Sequence, residues 1–318
     1  MIIVTGAAGM IGSGVVRALN DRGLTNLILV DDLKKSEKWK NLVGKQFLDL
    51  ISRHSILDYL KSHTSEIDAL IHLGACSDTE ETDADYLMQN NFRTSVQLAE
   101  WALSHNKRFI YASSAATYGD GSLGFSDQED QIEQFQPLNM YAFSKQLFDL
   151  WMKRQGGFKQ AVGLKYFNVF GPNEDHKGRM ASLVRKMLHR VQREGLVELY
   201  KSTDPKFSDG EQCRDFIYLK DAVRITCDFL NSPHTGLYNV GSGITTTWNQ
   251  LASSLFRALS MKPKISYVSM PEKLIKRYQN YTCADMRKLH KIFPAETRSI
   301  EASVEEYVQD YLVKDARW

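Results

Sequence analysis

The chain has 318 residues, 43% of them hydrophobic and 25% charged, and at about 150 residues per domain that suggests two domains. These proportions exclude a disordered, collagen-like or disulfide-scaffold protein. Forty basic residues against 38 acidic ones leave a net charge of +2, so no basic excess points to nucleic acid or an anionic membrane as partner.

Read in order, the chain alternates short apolar runs with longer amphipathic ones. Ile2–Thr5 lacks a basic flank and runs into glycines, which marks it as a first strand and not a signal peptide. A helix is predicted over Met10–Arg22, then a strand at Leu27–Asp31, a helix at His54–Ser62 and a strand at Ala69–Leu73. A long helix at Ala84–Ser104, a strand at Phe109–Ser113, a helix at Tyr141–Gln155 and a strand at Ala161–Tyr166 continue the pattern. Near-continuous apolar strands separated by helices predict a doubly wound parallel α/β sheet of the Rossmann type. After about residue 168 the alternation fades, and Ser202–Gln212 reads as a turn-rich surface loop. A smaller α/β C-terminal substrate domain is therefore expected. The division runs 1–167 plus about 214–246 for the nucleotide-binding domain, and about 168–213 plus 247–318 for the other. Arg214–Tyr218 and Gly236–Val240 are candidates to return to the main sheet. The four cysteines, Cys76, Cys213, Cys227 and Cys283, form no C-x-x-C pair. No metal site is expected, and a reducing, cytoplasmic setting is. No apolar run approaches the ~20 residues of a membrane helix.

Two segments carry chemistry. Thr5-Gly6-Ala7-Ala8-Gly9-Met10-Ile11-Gly12 joins the first strand to the first helix. Its glycines permit a tight turn and close approach of backbone to a pyrophosphate, which the helix N-terminus attracts. Asp31 stands 19 residues beyond Gly12, where dinucleotide-binding folds carry the acid that meets the adenosine ribose. A ribose 2′-OH partner at Asp31 favours NAD, whereas Lys34, Lys35, Lys38 and Lys40 would suit the 2′-phosphate of NADP; the residues leave both open. Leu73-Gly74-Ala75-Cys76 ends a strand at the carboxyl edge, where such sheets bind ligands. The second segment is the strand-end Ser113-Ser114-Ala115-Ala116-Thr117-Tyr118-Gly119, followed by Tyr141-Ala142-Phe143-Ser144-Lys145. The i, i+4 spacing puts Tyr141 and Lys145 on one helix face. A neighbouring cation is expected to lower the phenol pKa, fitting Tyr141 to exchange a proton with a substrate hydroxyl while Ser114 hydrogen-bonds the same oxygen.

The glycine loop and the Tyr-x-x-x-Lys pair together make this chain resemble the extended short-chain dehydrogenase/reductase family over nearly its whole length. That family contains nucleotide-sugar epimerases, dehydratases and reductases. Its sugar-nucleotide 4,6-dehydratases usually carry Asp-Glu where Ala115 and Ala116 stand here, so elimination is disfavoured. Further segments resemble a narrower branch, the epimerases that invert C6 of an ADP-heptose used for the lipopolysaccharide core. They are Gly74–Ser77, Asn90-Asn91, Tyr166–Pro172, His176–Ser182, Arg214-Asp215-Phe216 and Arg277-Tyr278-Gln279.

This resemblance implies roles position by position. Tyr141 and Lys177 would be the two acid/base groups, Lys145 the nicotinamide-ribose anchor and Ser114 the hydroxyl partner. The cofactor would be NADP, held by Gly6, Gly9, Met10, Ile11, Gly12, Asp31, Asp32, Lys38, Arg53, Leu73, Gly74, Ala75, Cys76, Ser77, Asn90, Lys145, Val169 and Lys177. ADP-heptose would meet Asn168, Arg179, Lys186, Tyr200, Lys201, Ser202, Thr203, Arg214 and Tyr278. Arg53, Leu73, Arg179 and Lys186 depart from residues seen in other members. For Lys177 to act as a base its pKa must fall, through burial or a neighbouring cation such as Arg179. A homo-oligomer is expected. The competing readings are another nucleotide-sugar epimerase or reductase of the same family, and a non-catalytic dinucleotide-binding regulator. The intact Tyr141–Lys145 pair weighs against the regulator.

Overall fold

The computed structural model describes the chain apart from Lys276, Arg277, Ala295 and the side chain of Lys273. In chain order the strands are β1 (Ile2–Thr5), β2 (Leu27–Val30), β3 (Asp49–Ile51), β4 (Ala69–His72), β5 (Arg108–Ser114), β6 (Ala161–Tyr166), β7 (Asn168–Phe170), β8 (Val197–Tyr200), β9 (Cys213–Tyr218), β10 (Gly236–Val240), β11 (Thr245–Thr247) and β12 (Ile265–Val268). Seven form one sheet in the order β10-β6-β5-β4-β1-β2-β3, and every neighbouring pair is parallel. The order reverses between β1 and β4, which opens a crevice at their carboxyl ends, the place where such sheets take ligands.

The helices that cover this sheet are α1 (Met10–Asp21), α2 (Ile56–Ser62), α3 (Ala84–Leu87), α4 (Thr94–Ser104) and α5 (Met140–Arg154). α3 passes through a π turn at Met88–Arg93 into α4, so the long helix expected from the periodicity is present with one wider, under-wound turn. Because successive side chains in a strand point to opposite faces, the apolar strands feed two cores. Val4, Leu29, Ile71 and Ile110 pack on the face of α1. Ile3, Ile28, Leu70 and Phe109 pack on the other, against residues of α2, α4 and α5.

α6 (Leu183–Glu194), α7 (Leu219–Asp228) and α8 (Trp248–Ala258) complete the larger helices. Gly236–Val240 returns to the main sheet, as the sequence suggested. Arg214–Tyr218 does not: this strand, β9, lies between β7 and β11 in a separate three-stranded sheet. Its outward aromatics explain the choice. Phe216 and Tyr218 pack with Phe170, α6, α8 and Tyr307 in a third core of their own. β8 and β12 pair as a small parallel sheet. Among the described residues no helix is long and apolar enough to cross a membrane.

Candidate active site

At the end of β1 the chain turns through Gly6 with φ +66°, a conformation that favours glycine. A side chain there would strike the backbone of Gly74, 2.8 Å from an added Cβ. At Gly12 an added Cβ would fall on the Gly6 carbonyl. α1 starts at Gly9 with no side chain capping it, so its first-turn N–H groups remain open to an anion. These features fit a dinucleotide pyrophosphate.

Asp31 faces inward from β2. It accepts from the Ala8 amide at 2.9 Å and the Asp32 amide at 2.8 Å, and pairs with Lys38 at 2.5 Å. Asp32 pairs with Arg53 at 2.7 Å and accepts from Ser52 at 3.0 Å. Arg53 in turn donates to Asn90. The basic residues of this edge are thus already oriented by its acids.

On the other side of the crevice, Thr5 joins the Gly74 amide to His72, and His72 reaches Ser95 at 2.8 Å. Burial, with a smaller push from Lys145, drives the His72 pKa down to about 3, so this imidazole is a neutral strut. Asn91 was legible only as part of a motif, and its role comes from the fold. Fully buried on the π turn, it accepts from the Cys76 amide at 2.8 Å and donates to the Cys76 carbonyl at 2.9 Å and to Ser144 at 3.0 Å. It fastens the segment Gly74–Ser77 to α5 beside Tyr141.

Tyr141 lies in the first turn of α5, which Asn139 caps by accepting from the Ala142 amide. Ser114, the last residue of β5, lies near enough to the Tyr141 phenol for its hydroxyl to pull the phenol pKa down. The expected net lowering does not occur: burial holds the phenol above its ordinary value and outweighs the pull of Ser114. Lys145 is buried one turn on and donates to the Ala112 carbonyl at 2.9 Å. Its own pKa falls to about 8, through burial opposed by Asp149.

Lys177 sits in the tight turn Asp175–Met180 after β7, with its amine 3.9 Å from the Met10 sulfur. Lys177 and Tyr141 therefore approach the glycine loop and the Gly74–Ser77 segment from different elements. The Lys177 pKa is lowered by burial first, with Lys186 pushing the same way against Glu174. Arg179, expected to depress it, takes no part in that shift. Its guanidinium is exposed and committed to Asp78 at 2.6 Å and Glu80. Asn41, unnoticed in the sequence, donates 3.0 Å bonds to both the Ala8 and Asn173 carbonyls and so ties the glycine loop to the Lys177 turn.

Beyond the crevice, Arg214 on β9 is 7% exposed, and among the described residues no carboxylate pairs with it. Its guanidinium lies 5.4 Å from the Trp248 ring and 5.0 Å from the Tyr278 ring, and donates to the Cys213 carbonyl at 3.0 Å. Trp248 fixes Tyr278 with a 2.7 Å bond to its hydroxyl. A buried cation without a counter-charge is costly, and its planar fork suits a diphosphate. Asn168 is exposed on β7, the strand beside β9, and Val169 follows it half-buried. Tyr200 lies within electrostatic reach of Tyr278, and Ser202 is held by Asp209. Lys201, Thr203 and Lys186 are exposed. Gln279 donates to the Gly119 carbonyl, while Arg277 lies outside the described residues.

A glycine cradle at the sheet's reversal point, with a helix-borne tyrosine and lysine on the same crevice, fits a nicotinamide-dinucleotide enzyme. The chain belongs to the NAD dependent epimerase/dehydratase family, whose pattern matches residues 2–241. It is 47% identical over 316 residues to the ADP-L-glycero-D-manno-heptose-6-epimerase of Nitratidesulfovibrio vulgaris, with 98% of both chains covered. The protein of that name from Fusobacterium nucleatum is 43% identical, with 99% of both covered. The crystal structure of the Helicobacter pylori ADP-L-glycero-D-manno-heptose-6-epimerase matches with a TM-score of 0.82 at 26% identity, over 97% of this chain and 95% of that one. UDP-N-acetylglucosamine 4-epimerase from Methanobrevibacter ruminantium matches with a TM-score of 0.83 at 25% identity, over 99% of this chain and 98% of that one.

Proposed function

We propose that this enzyme inverts C6 of the heptose in ADP-D-glycero-D-manno-heptose to give the L-glycero epimer, as part of lipopolysaccharide core precursor synthesis. C6 bears no acidic proton, so inversion by simple deprotonation is not feasible. A nicotinamide dinucleotide held by the glycine loop, Asp31 and Lys38 would supply a reversible hydride acceptor, by which the sugar would pass through a 6-ketone. The chain's residues handle the proton. The sugar end presents opposite faces in the two half-reactions, which places its oxygen differently in each. Tyr141 serves one orientation and Lys177 the other. Burial sets them in complementary resting states, the phenol held protonated and the amine pushed toward its neutral form. One group can then take the hydroxyl proton while the other returns a proton to the ketone. Lys145 and Ser114 orient the Tyr141 end, and Arg214 holds the ADP diphosphate.

The observation that carries this reading is the approach of the Lys177 amine to Met10 of the glycine loop. It supports a second proton-transfer group beside the glycine loop, which an enzyme with one acid/base group does not need. Incubation with ADP-D-glycero-D-manno-heptose and no added nicotinamide tests it: the L-glycero product should appear, and protein-bound dinucleotide should be recovered on denaturation. A requirement for stoichiometric reductant would instead make the protein a reductase.

We assign NADP as the preferred cofactor. Asp31 already accepts two amides and the Lys38 ammonium, which leaves it poorly placed to accept from a ribose 2′-OH. With its charge offset, Lys38 and Arg53 favour a 2′-phosphate. Lys38→Ala should weaken NADP binding at least about tenfold, the scale of one charge-assisted contact, and leave NAD nearly unchanged in a titration. Equal loss of both nucleotides would remove Lys38 from this role.

A further inference from the structure

Tyr141 and Lys145 share a face of α5 with a third polar residue, Asp149, one further turn along. Asp149 is completely buried, and so is its partner Lys165 on β6, 2.8 Å away. A buried ion pair contributes little net stability, because desolvation offsets its attraction, and similar-sized apolar residues are often no worse. What distinguishes this pair is where its other bonds lead. Asp149 accepts from Ser113 at 2.6 Å and from Tyr111 at 2.9 Å, both on β5. Lys165 donates to the Thr117 hydroxyl at 2.6 Å, and Thr117 donates to the Ser114 carbonyl at 2.7 Å. The residue before Ser114 and the carbonyl of Ser114 itself are therefore both tied to the helix that carries Tyr141 and Lys145.

We propose that Asp149 and Lys165 are positioning residues, which hold the β5 end through Ser113 and Thr117 so that the Ser114 hydroxyl stays in register with the Tyr141 phenol. The geometry supports an active role for the link. Ser114 also accepts from the Ala116 amide at 3.1 Å, so its hydroxyl sits at the first turn of a short 3₁₀ segment, Ala115–Tyr118, that would otherwise pivot about the strand end. The Lys165 ammonium is 5.0 Å from the Tyr118 ring centre, which pins the far end of the same segment. Helix, strand and turn are thus joined at the Asp149–Lys165 pair, whose side-chain hydrogen bonds among the described residues go to Tyr111, Ser113 and Thr117 and not to the glycine loop.

This inference rests on the acid/base role given above to Tyr141 and Ser114, and its test separates the two. Removing Asp149 alone would strand a buried charge and risk unfolding. The informative variant is Ser113→Ala with Thr117→Val, which cuts both links to Ser114 and keeps the ion pair. We expect kcat for epimerisation to fall at least tenfold, with the substrate KM and NADP affinity close to wild type and a lowered melting temperature that still leaves the protein folded at the assay temperature. In a Ser114→Ala background the same two substitutions should cost nothing more, because the residue they act through is gone. Unchanged kcat in the double variant, or an equal further loss in the Ser114→Ala background, overturns the proposal. A readout without substrate is the resonance of labelled Tyr141, assigned by its disappearance in Tyr141→Phe. It should move in the double variant as it does in Ser114→Ala, and an unmoved resonance overturns the positioning role. An inactive wild type whose Tyr141 resonance still responds would sink the epimerase reading and leave the positioning network standing.

Discussion

Tyr141→Phe and Lys177→Met should each reduce epimerisation of ADP-heptose by roughly 10²–10⁴-fold, the range contributed by a well-placed acid/base group. NADP and ADP-sugar binding should survive in both. The expectation differs from that for an enzyme with a single general base, where only the tyrosine change would be severe. Lys177→Met keeps the length and most of the volume of a side chain that packs on Met10, so loss of packing is not the reason for its effect. The same substitution removes a positive charge near Lys186, which should if anything ease local repulsion. Product stereochemistry followed over time at saturating substrate is the measurement. Near-normal turnover by Lys177→Met would end the two-group mechanism and return Lys177 to the role of a contact for the cofactor.

Arg214→Ala should raise the dissociation constant for ADP-heptose by about 10- to 100-fold, as expected for a charge-assisted bond of roughly 1.5–3 kcal/mol. NADP affinity should change little, because the glycine loop, Asp31 and Lys38 belong to the other half of the crevice. Arg214→Lys is expected to recover only part of the affinity. Lysine keeps the charge but lacks the planar fork that lies against Trp248 and Tyr278 and would meet two phosphate oxygens at once. Calorimetric titration of each variant with ADP-heptose and, separately, with NADP reads both halves. Unaltered ADP-heptose binding would exclude Arg214 from the site and direct attention to the loop that precedes β9.

The alternation of strands and helices in the first half of the chain, the glycine turn after the first strand and the shared face of Tyr141 and Lys145 were all readable from the sequence. Each is written in short-range spacing: an apolar run of four to six residues, glycines at fixed offsets, a repeat of four on a helix. Such patterns constrain backbone geometry directly, and tertiary contacts have little freedom to override them. Lys177 and Arg214 became candidates only through the resemblance, since a lysine in a polar turn and an arginine at a strand start have no local signature. Other features depended on which distant segments the fold brings together. The apolar content of β9 is compatible with either sheet, and it was the third core around Phe170 and Tyr307 that drew it away from the main one. Arg179 could be counted as a free cation until folding delivered Asp78 and Glu80 to it. Asp149 lies one turn beyond Lys145 on the same helix face, but its meaning required Lys165 and Ser113 to converge on it from other elements and Thr117 to meet Lys165. The direction of the Tyr141 pKa was likewise set by enclosure, because burial outweighs the pull of the Ser114 hydroxyl once the phenol leaves water. Spacing along the chain determines which residues share a face, whereas solvent exclusion and long-range pairing determine their charge, and these exist only after the chain has folded.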